Sequence, residues 1–177
     1  MAIFLVISFL LFIAAIFIVA MVMPKDSSIS SSVVIDRPQA EVFDYIRLMR
    51  NQEKYSKWVM ADPNVKLVYT GTDGTAGFIS SWTSEDKKVG VGAQEITKII
   101  DGVGYEAEIR FEKPFKGISY ASMMTEAISA TQTKATNTFN SSTPVPMNLM
   151  MPMLKKMLQK DMDETTANLK HVLESKS

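Results

Sequence analysis

The sequence has no cysteine, and His171 is its only histidine. These absences exclude disulfides, thiol chemistry, cysteine-based zinc sites and any mechanism that needs two imidazoles. Basic excess is also missing. Nineteen Lys and Arg balance nineteen Asp and Glu, and no run of Lys or Arg forms a phosphate-tracking patch, so a nucleic-acid partner is not expected. Gly71-Thr72-Asp73-Gly74 is not followed by the Lys-Ser/Thr of a phosphate loop, and no metal-ligand spacing or cofactor motif occurs.

Charge is missing altogether from residues 1–24. Within that stretch, Ile3 to Met23 contains one polar residue, Ser8. As a helix it would run roughly 31 Å, about the thickness of a bilayer hydrocarbon core. Apolar side chains surround it on all sides, so it is read as a transmembrane anchor over residues 1–24. A cleaved signal peptide is the competing reading. Against it stand the missing cationic region, the length of the apolar run and the missing small-x-small cleavage site. Lys25 and Arg37 follow the run, which leans towards a cytoplasmic soluble domain, although Asp26 and Asp36 offset them.

Residues 25–31 are polar and serine-rich and read as a tether to a domain over 32–177. Ser32 to Ile35 reads as a strand, and Pro38 opens one or two short helices ending near Trp58. The period then becomes two. Val103, Tyr105, Ala107, Ile109 and Phe111 alternate with Gly104, Glu106, Glu108, Arg110 and Glu112, as in an antiparallel sheet with one solvated face. That places Glu106, Glu108 and Arg110 outside. About six such strands follow the helices. Met147 to Leu173 reads as one long helix with a single apolar stripe, delayed or kinked at Pro152. A sheet with one apolar face must be covered, and this helix is the element large enough to cover it.

From about Ser31 to Ser175 the chain resembles the START-like superfamily, specifically the polyketide cyclase/dehydrase-like SRPBCC proteins. The resemblance is carried by the entry Val34-Ile35-Asp36-Arg37-Pro38-Gln39-Ala40-Glu41-Val42-Phe43-Asp44-Tyr45-Ile46, by Trp58 with Asp62-Pro63, by Tyr69-Thr70-Gly71, Gly74, Gly77 and Trp82, by Gly90-Val91-Gly92, and by Phe111-Glu112-Lys113-Pro114. Asn137 departs from the aromatic residue common near the end of the last strand. The resemblance implies an α+β helix-grip fold: a curved antiparallel sheet of about seven strands, two short helices and a long C-terminal helix, here preceded by one transmembrane helix. It also implies a cavity between sheet and helix for a lipid, polyketide or other apolar small molecule.

Expected ligand-binding residues are Trp58, Tyr69, Trp82, Tyr105, Tyr120 and Met124, with Met147, Met150, Met151, Leu154 and Met157 on the helix. Methionine adapts to varied apolar shapes, and Trp and Tyr add a hydrogen-bond donor to an apolar body. Ordinary core packing is the plain alternative for both groups. His171 reads as a helix-end residue without a partner for acid–base work. No catalytic set is evident. Three functions remain open: a membrane-anchored binding or carrier module, a cyclase- or dehydratase-type enzyme, and a protein-interaction module.

Overall fold

A computed structural model describes residues 1–175, with Ala2 described by its backbone alone. Helix α1 (Ala2–Val22) is followed by β1 (Asp26–Ile35) and α2 (Gln39–Ile46). Short 3-10 turns at Met49–Lys54 and Val59–Ala61 lead into β2 (Lys66–Thr70), β3 (Ile79–Thr83), β4 (Val91–Ile100), β5 (Gly104–Lys113), β6 (Gly117–Ala127) and β7 (Thr133–Ser142). A 3-10 turn at Met147–Met150 then starts α3 (Met151–Glu174). The seven strands form one antiparallel sheet in the order β1-β7-β6-β5-β4-β3-β2. Register shifts between Val91 and Gly92 and between Ile96 and Lys98 bend β4 against β5, as bulges do.

Alternation assigns the two faces. Tyr105, Ala107 and Ile109 are buried, whereas Arg110 lies outside and bonds Glu95 and Glu108 at 2.8 and 2.7 Å. Pro152 falls in the first turn of α3, where its missing N–H costs nothing, so the helix starts late rather than kinking.

The tether expected over 25–31 does not exist. Asp26 to Ile35 pairs continuously with Ser142 to Thr133, and Ser30 and Ser32 share hydrogen bonds with Thr138 and Thr136 at 2.9 Å. The serine run looks like linker by composition. Its period-two burial, with Ser27, Ile29 and Ser31 inside, makes it a strand. Only Met23, Pro24 and Lys25 separate α1 from the sheet.

Helix α3 covers the edge of β1. Gln159 Nε2 donates to the Ser30 carbonyl (3.0 Å), Ser31 Oγ donates to Asp163 Oδ1 (2.6 Å), Lys170 Nζ donates to the Val34 carbonyl (2.6 Å), and the Asp36 N–H donates to Glu174 (2.7 Å). Edge groups that would otherwise recruit another strand are thereby engaged. On its other side, α3 meets the turn segment through Lys57–Glu164 (2.7 Å) and Asn168 Nδ2 to the Tyr55 carbonyl (3.3 Å). All these ties lie at or beyond Gln159. Ser31→Ala is expected to lower stability by about 1 kcal/mol, because Asp163 keeps its bond from Gln159. Denaturant titration of the full chain in detergent checks this.

Candidate functional site

The register lays inward side chains in rows across the concave face. Nearest the start of α3, Leu67, Trp82, Gly92 and Phe111 are consecutive cross-strand partners. Gly92 is required there, since a Cβ would lie 2.4 Å from the Trp82 ring. The second row reads Tyr69, Ser80, Gln94, Ile109, Ser119, Ser141 and Ser27. It is a band of hydroxyl and amide groups around one isoleucine. The third reads Ile96, Ala107, Ala121, Phe139 and Ile29, and the fourth Ile99, Tyr105, Met123, Asn137 and Ser31.

Packing is uneven along these rows. Ile35, Val42, Ile46, Tyr55, Tyr105, Met123, Leu169 and Leu173 form a closed core under the C-terminal half of α3. A second cluster, Ile29, Ile109, Phe139 and Met162, has Trp58, Trp82, Phe111, Ala121 and Leu158 against it, all only partly buried. Trp58 tilts on Phe139 with ring centroids 5.8 Å apart, and Trp82 meets Phe111 edge-on at 5.9 Å. The Trp82 indole N–H donates to the Val89 carbonyl at 3.2 Å. The apolar face is thus sealed at one end and accessible under the first two turns of α3, where the bonds to β1 and the turn segment are lacking among the described residues.

The polar groups divide the same way. Ser27 is buried and its hydroxyl has no hydrogen-bond partner among the described residues. In the sealed core, Gln52 Nε2 donates to the Tyr105 hydroxyl at 3.0 Å, and burial pushes the Tyr105 phenol up to about 12. Burial and the neighbouring Tyr105 raise Tyr55 as well. Tyr69 stacks on Phe78 (5.8 Å), carries the Arg50 guanidinium 4.5 Å above its ring, and donates to Glu53. Burial first and Glu53 second raise its phenol. All three tyrosines are therefore neutral hydrogen-bonding groups near pH 7.

Of the expected ligand-binding residues, the structure brings Trp58, Trp82 and Leu154 to the accessible half and Tyr69 to the hydroxyl row. Tyr105 belongs to the sealed core instead, and Met151 is buried where α3 begins, accepting a bond from Thr143 at 3.1 Å. Tyr120 and Met124 do not face the helix. Tyr120 is 54% exposed, and Met124 lies on the outer face beside Thr136. Met123 is the inward neighbour, because a one-residue shift moves a strand side chain to the other face.

The single apolar stripe expected on α3 is two stripes. Met151, Leu154, Leu158 and Met162 turn inward, while Met147, Met150, Met153 and Met157 are exposed. Adjacent helix positions diverge by roughly 100°, so one set alone can meet the sheet. Ser27, Ser80, Gln94 and Ser119 escaped the sequence reading because isolated polar residues in strands look like solvent-facing ones. Their even spacing within each strand from Ile29, Trp82, Ile96 and Met123, respectively, was the available signal. His171 is exposed, as expected. No group of three or more His, Cys, Asp or Glu able to hold a metal occurs among the described residues. A hollow of about 620 Å³ lined by Arg110, Phe111, Glu112, Lys116, Gly117 and Ile118 is open to solvent at the β5–β6 hairpin.

A seven-stranded antiparallel sheet gripping a long helix, with a partly accessible amphipathic concave face, defines a helix-grip domain. The chain belongs to the family described as polyketide cyclase / dehydrase and lipid transport, whose model matches residues 27–174. Among solved structures it is similar to norcoclaurine synthase from Thalictrum flavum in complex with dopamine and hydroxybenzaldehyde (TM-score 0.64, 12% identity, covering 90% of this chain and 94% of that one). It is also similar to the Zhui aromatase/cyclase from Streptomyces sp. R1128 (0.61, 11%, 84% and 94%) and to TTHA0849 from Thermus thermophilus (0.59, 13%, 85% and 99%). At such identities the likeness is one of fold. No curated protein gives a match.

Helix α1 is long and apolar enough to cross a membrane and is exposed along nearly its whole length. A signal sequence near an N-terminus meets the same minimum of length and apolar composition. Its C-terminal end is held by Asn148, whose side-chain amide donates to the carbonyls of Ala20 (2.7 Å) and Met23 (3.2 Å). Carbonyls in the last turn have no partner within the helix, so this contact caps α1 and fixes it to the start of α3.

Proposed function

We propose that this protein is a membrane-anchored binding module for one apolar small molecule with a polar end. The ligand is held between the sheet and the first turns of α3. The observation that carries this reading is the uneven burial of the concave face. Trp58, Trp82, Phe111 and Leu158 point inward and yet remain partly exposed, beside the hydroxyl row. A protein that only needed a core would bury those aromatics, each of which contributes a large area. The unpartnered Ser27 hydroxyl and the neighbouring Ser141 and Ser119 offer hydrogen bonds to a ligand's polar end, since a buried polar group without a partner is costly. Family membership supports an apolar small molecule or lipid as cargo. An anchor on α1 would keep the domain beside the bilayer in which such molecules dissolve.

Native mass spectrometry of the full chain released from detergent tests the reading. The expected spectrum carries a one-to-one apolar adduct, or acquires one when a fatty acid is added. A chain that stays bare under both conditions counts decisively against it.

A further inference from the structure

The anchor-proximal end of the domain carries apolar side chains that the fold leaves uncovered. Register places this end. Asp26 pairs with Ser142, Ser141 with Ser119, and Gly117 with Phe111, so the β5–β6 hairpin lies at the same end of the sheet as the exit of α1. The Thr143 N–H donates to the Lys25 carbonyl (2.9 Å), which adds the start of α3 to that end. Phe115, at the hairpin tip, is 65% exposed between Lys113 and Lys116. Met147, Met150 and Met153 form the exposed stripe of the helix start, and Met153 is 66% exposed.

We infer that this end docks into the interfacial layer of the bilayer, with Phe115, Met147, Met150 and Met153 at the headgroup–acyl boundary and Lys113 and Lys116 at anionic headgroups. The inference rests on α1 crossing the membrane. Given that, the short connection decides the occupant. Met23, Pro24 and Lys25 span about 10 Å at most, and the headgroup layer is itself roughly 5–7 Å deep on each side. The first strand residue therefore lies at the bilayer surface. Asn148 ties the Met147–Met150 turn directly to Ala20 and Met23, so that turn cannot swing away. The hairpin stands two to three strand spacings from β1, about 10–14 Å to the side, over the same surface. Apolar side chains beside lysines are the composition of an interfacial contact. The accessible half of the concave face opens at this end too. Docking therefore gives an apolar ligand a route between bilayer and sheet that avoids water.

The absence of cysteine makes single-cysteine labelling clean. The full chain is reconstituted at high lipid-to-protein ratio in vesicles of phosphatidylcholine with a minor share of phosphatidylglycerol. A nitrobenzoxadiazole label is placed in turn at F115C, M150C, S129C and F12C. These positions are the hairpin tip, the helix start, the opposite end of the sheet and the middle of α1. Docking predicts that labels at 115 and 150 are quenched by lipid-borne nitroxide and are about threefold less quenched by aqueous iodide than the label at 129. If 115 and 150 match 129 while 12 is quenched only from the lipid, docking is overturned and the anchor stands. If 12 is open to iodide, the anchor reading fails and docking fails with it. Shielding of 115 and 150 from both quenchers means that protein covers this end, which also overturns docking. Phe115 and Met150 are exposed, so these substitutions leave the core intact.

Discussion

Gly104→Ala is expected to remove about 4 kcal/mol or more, a large part of the stability of a domain of this size. A Cβ on residue 104 would lie 2.1 Å from the Met123 carbonyl oxygen and 2.9 Å from the Met124 Cα. Both are backbone atoms of the neighbouring strand. No rotamer change relieves the clash, so β5 must separate from β6 at the edge of the closed core, where Tyr105 and Met123 are partners. At about 2–4 °C per kcal/mol, the apparent melting temperature should fall by roughly 10 °C or more. Gly117→Ala is the control. Nothing lies within 4 Å of its Cβ position, and its φ is not positive, so its melting temperature should stay close to that of the parent. Circular dichroism melts of both variants, as full chains in detergent, check the contrast. Equal losses would contradict the strand register at Gly104.

Ala121→Trp is expected to abolish or sharply weaken ligand binding while the fold persists. Ala121 stands in the third row between Ala107 and Phe139, and it packs against the second cluster where the concave face is still accessible. An indole there would occupy the space between the sheet and Leu158. Overpacking of this kind costs about 1–3 kcal/mol, which a stable domain tolerates. Fatty-acid adducts in native mass spectra should drop at least tenfold against the parent, with a cooperative melt retained. A variant that binds as well as the parent would place the ligand elsewhere and defeat the proposed site. Comparing Tyr120→Ala sharpens the result. Tyr120 is on the outer face, so its removal should leave binding unchanged.

These two residues mark the limits of reading by pattern. The alternation from Val103 to Glu112 is legible because each strand face meets a different solvent, and the sheet, its solvated face and the covering helix all follow from it. The apolar run of α1 is legible for the same reason, since its composition reflects one uniform environment. The serine-rich stretch misleads in the other direction. Serine marks linkers on average, yet Ser27 to Ser32 lies in an edge strand whose partners are more than a hundred residues away. Tyr120 and Met124 fail by a single position of register, and Met150 and Met157 by one step around a helix.

By itself, then, the sequence determined an antiparallel strand pattern with one solvated face, a long amphipathic last helix, the apolar first helix and the absence of thiol chemistry. Each depends on periodicity or composition within one segment. Tertiary structure decided which side chains share the concave face, that its hydroxyls line up as one row, that one end is sealed and the other accessible, and that α1 is held against the start of α3 by Asn148. Those properties are set by pairing between distant strands and by the angle at which one helix crosses them. No local pattern records either, because the partner that gives each residue its role is remote in the chain.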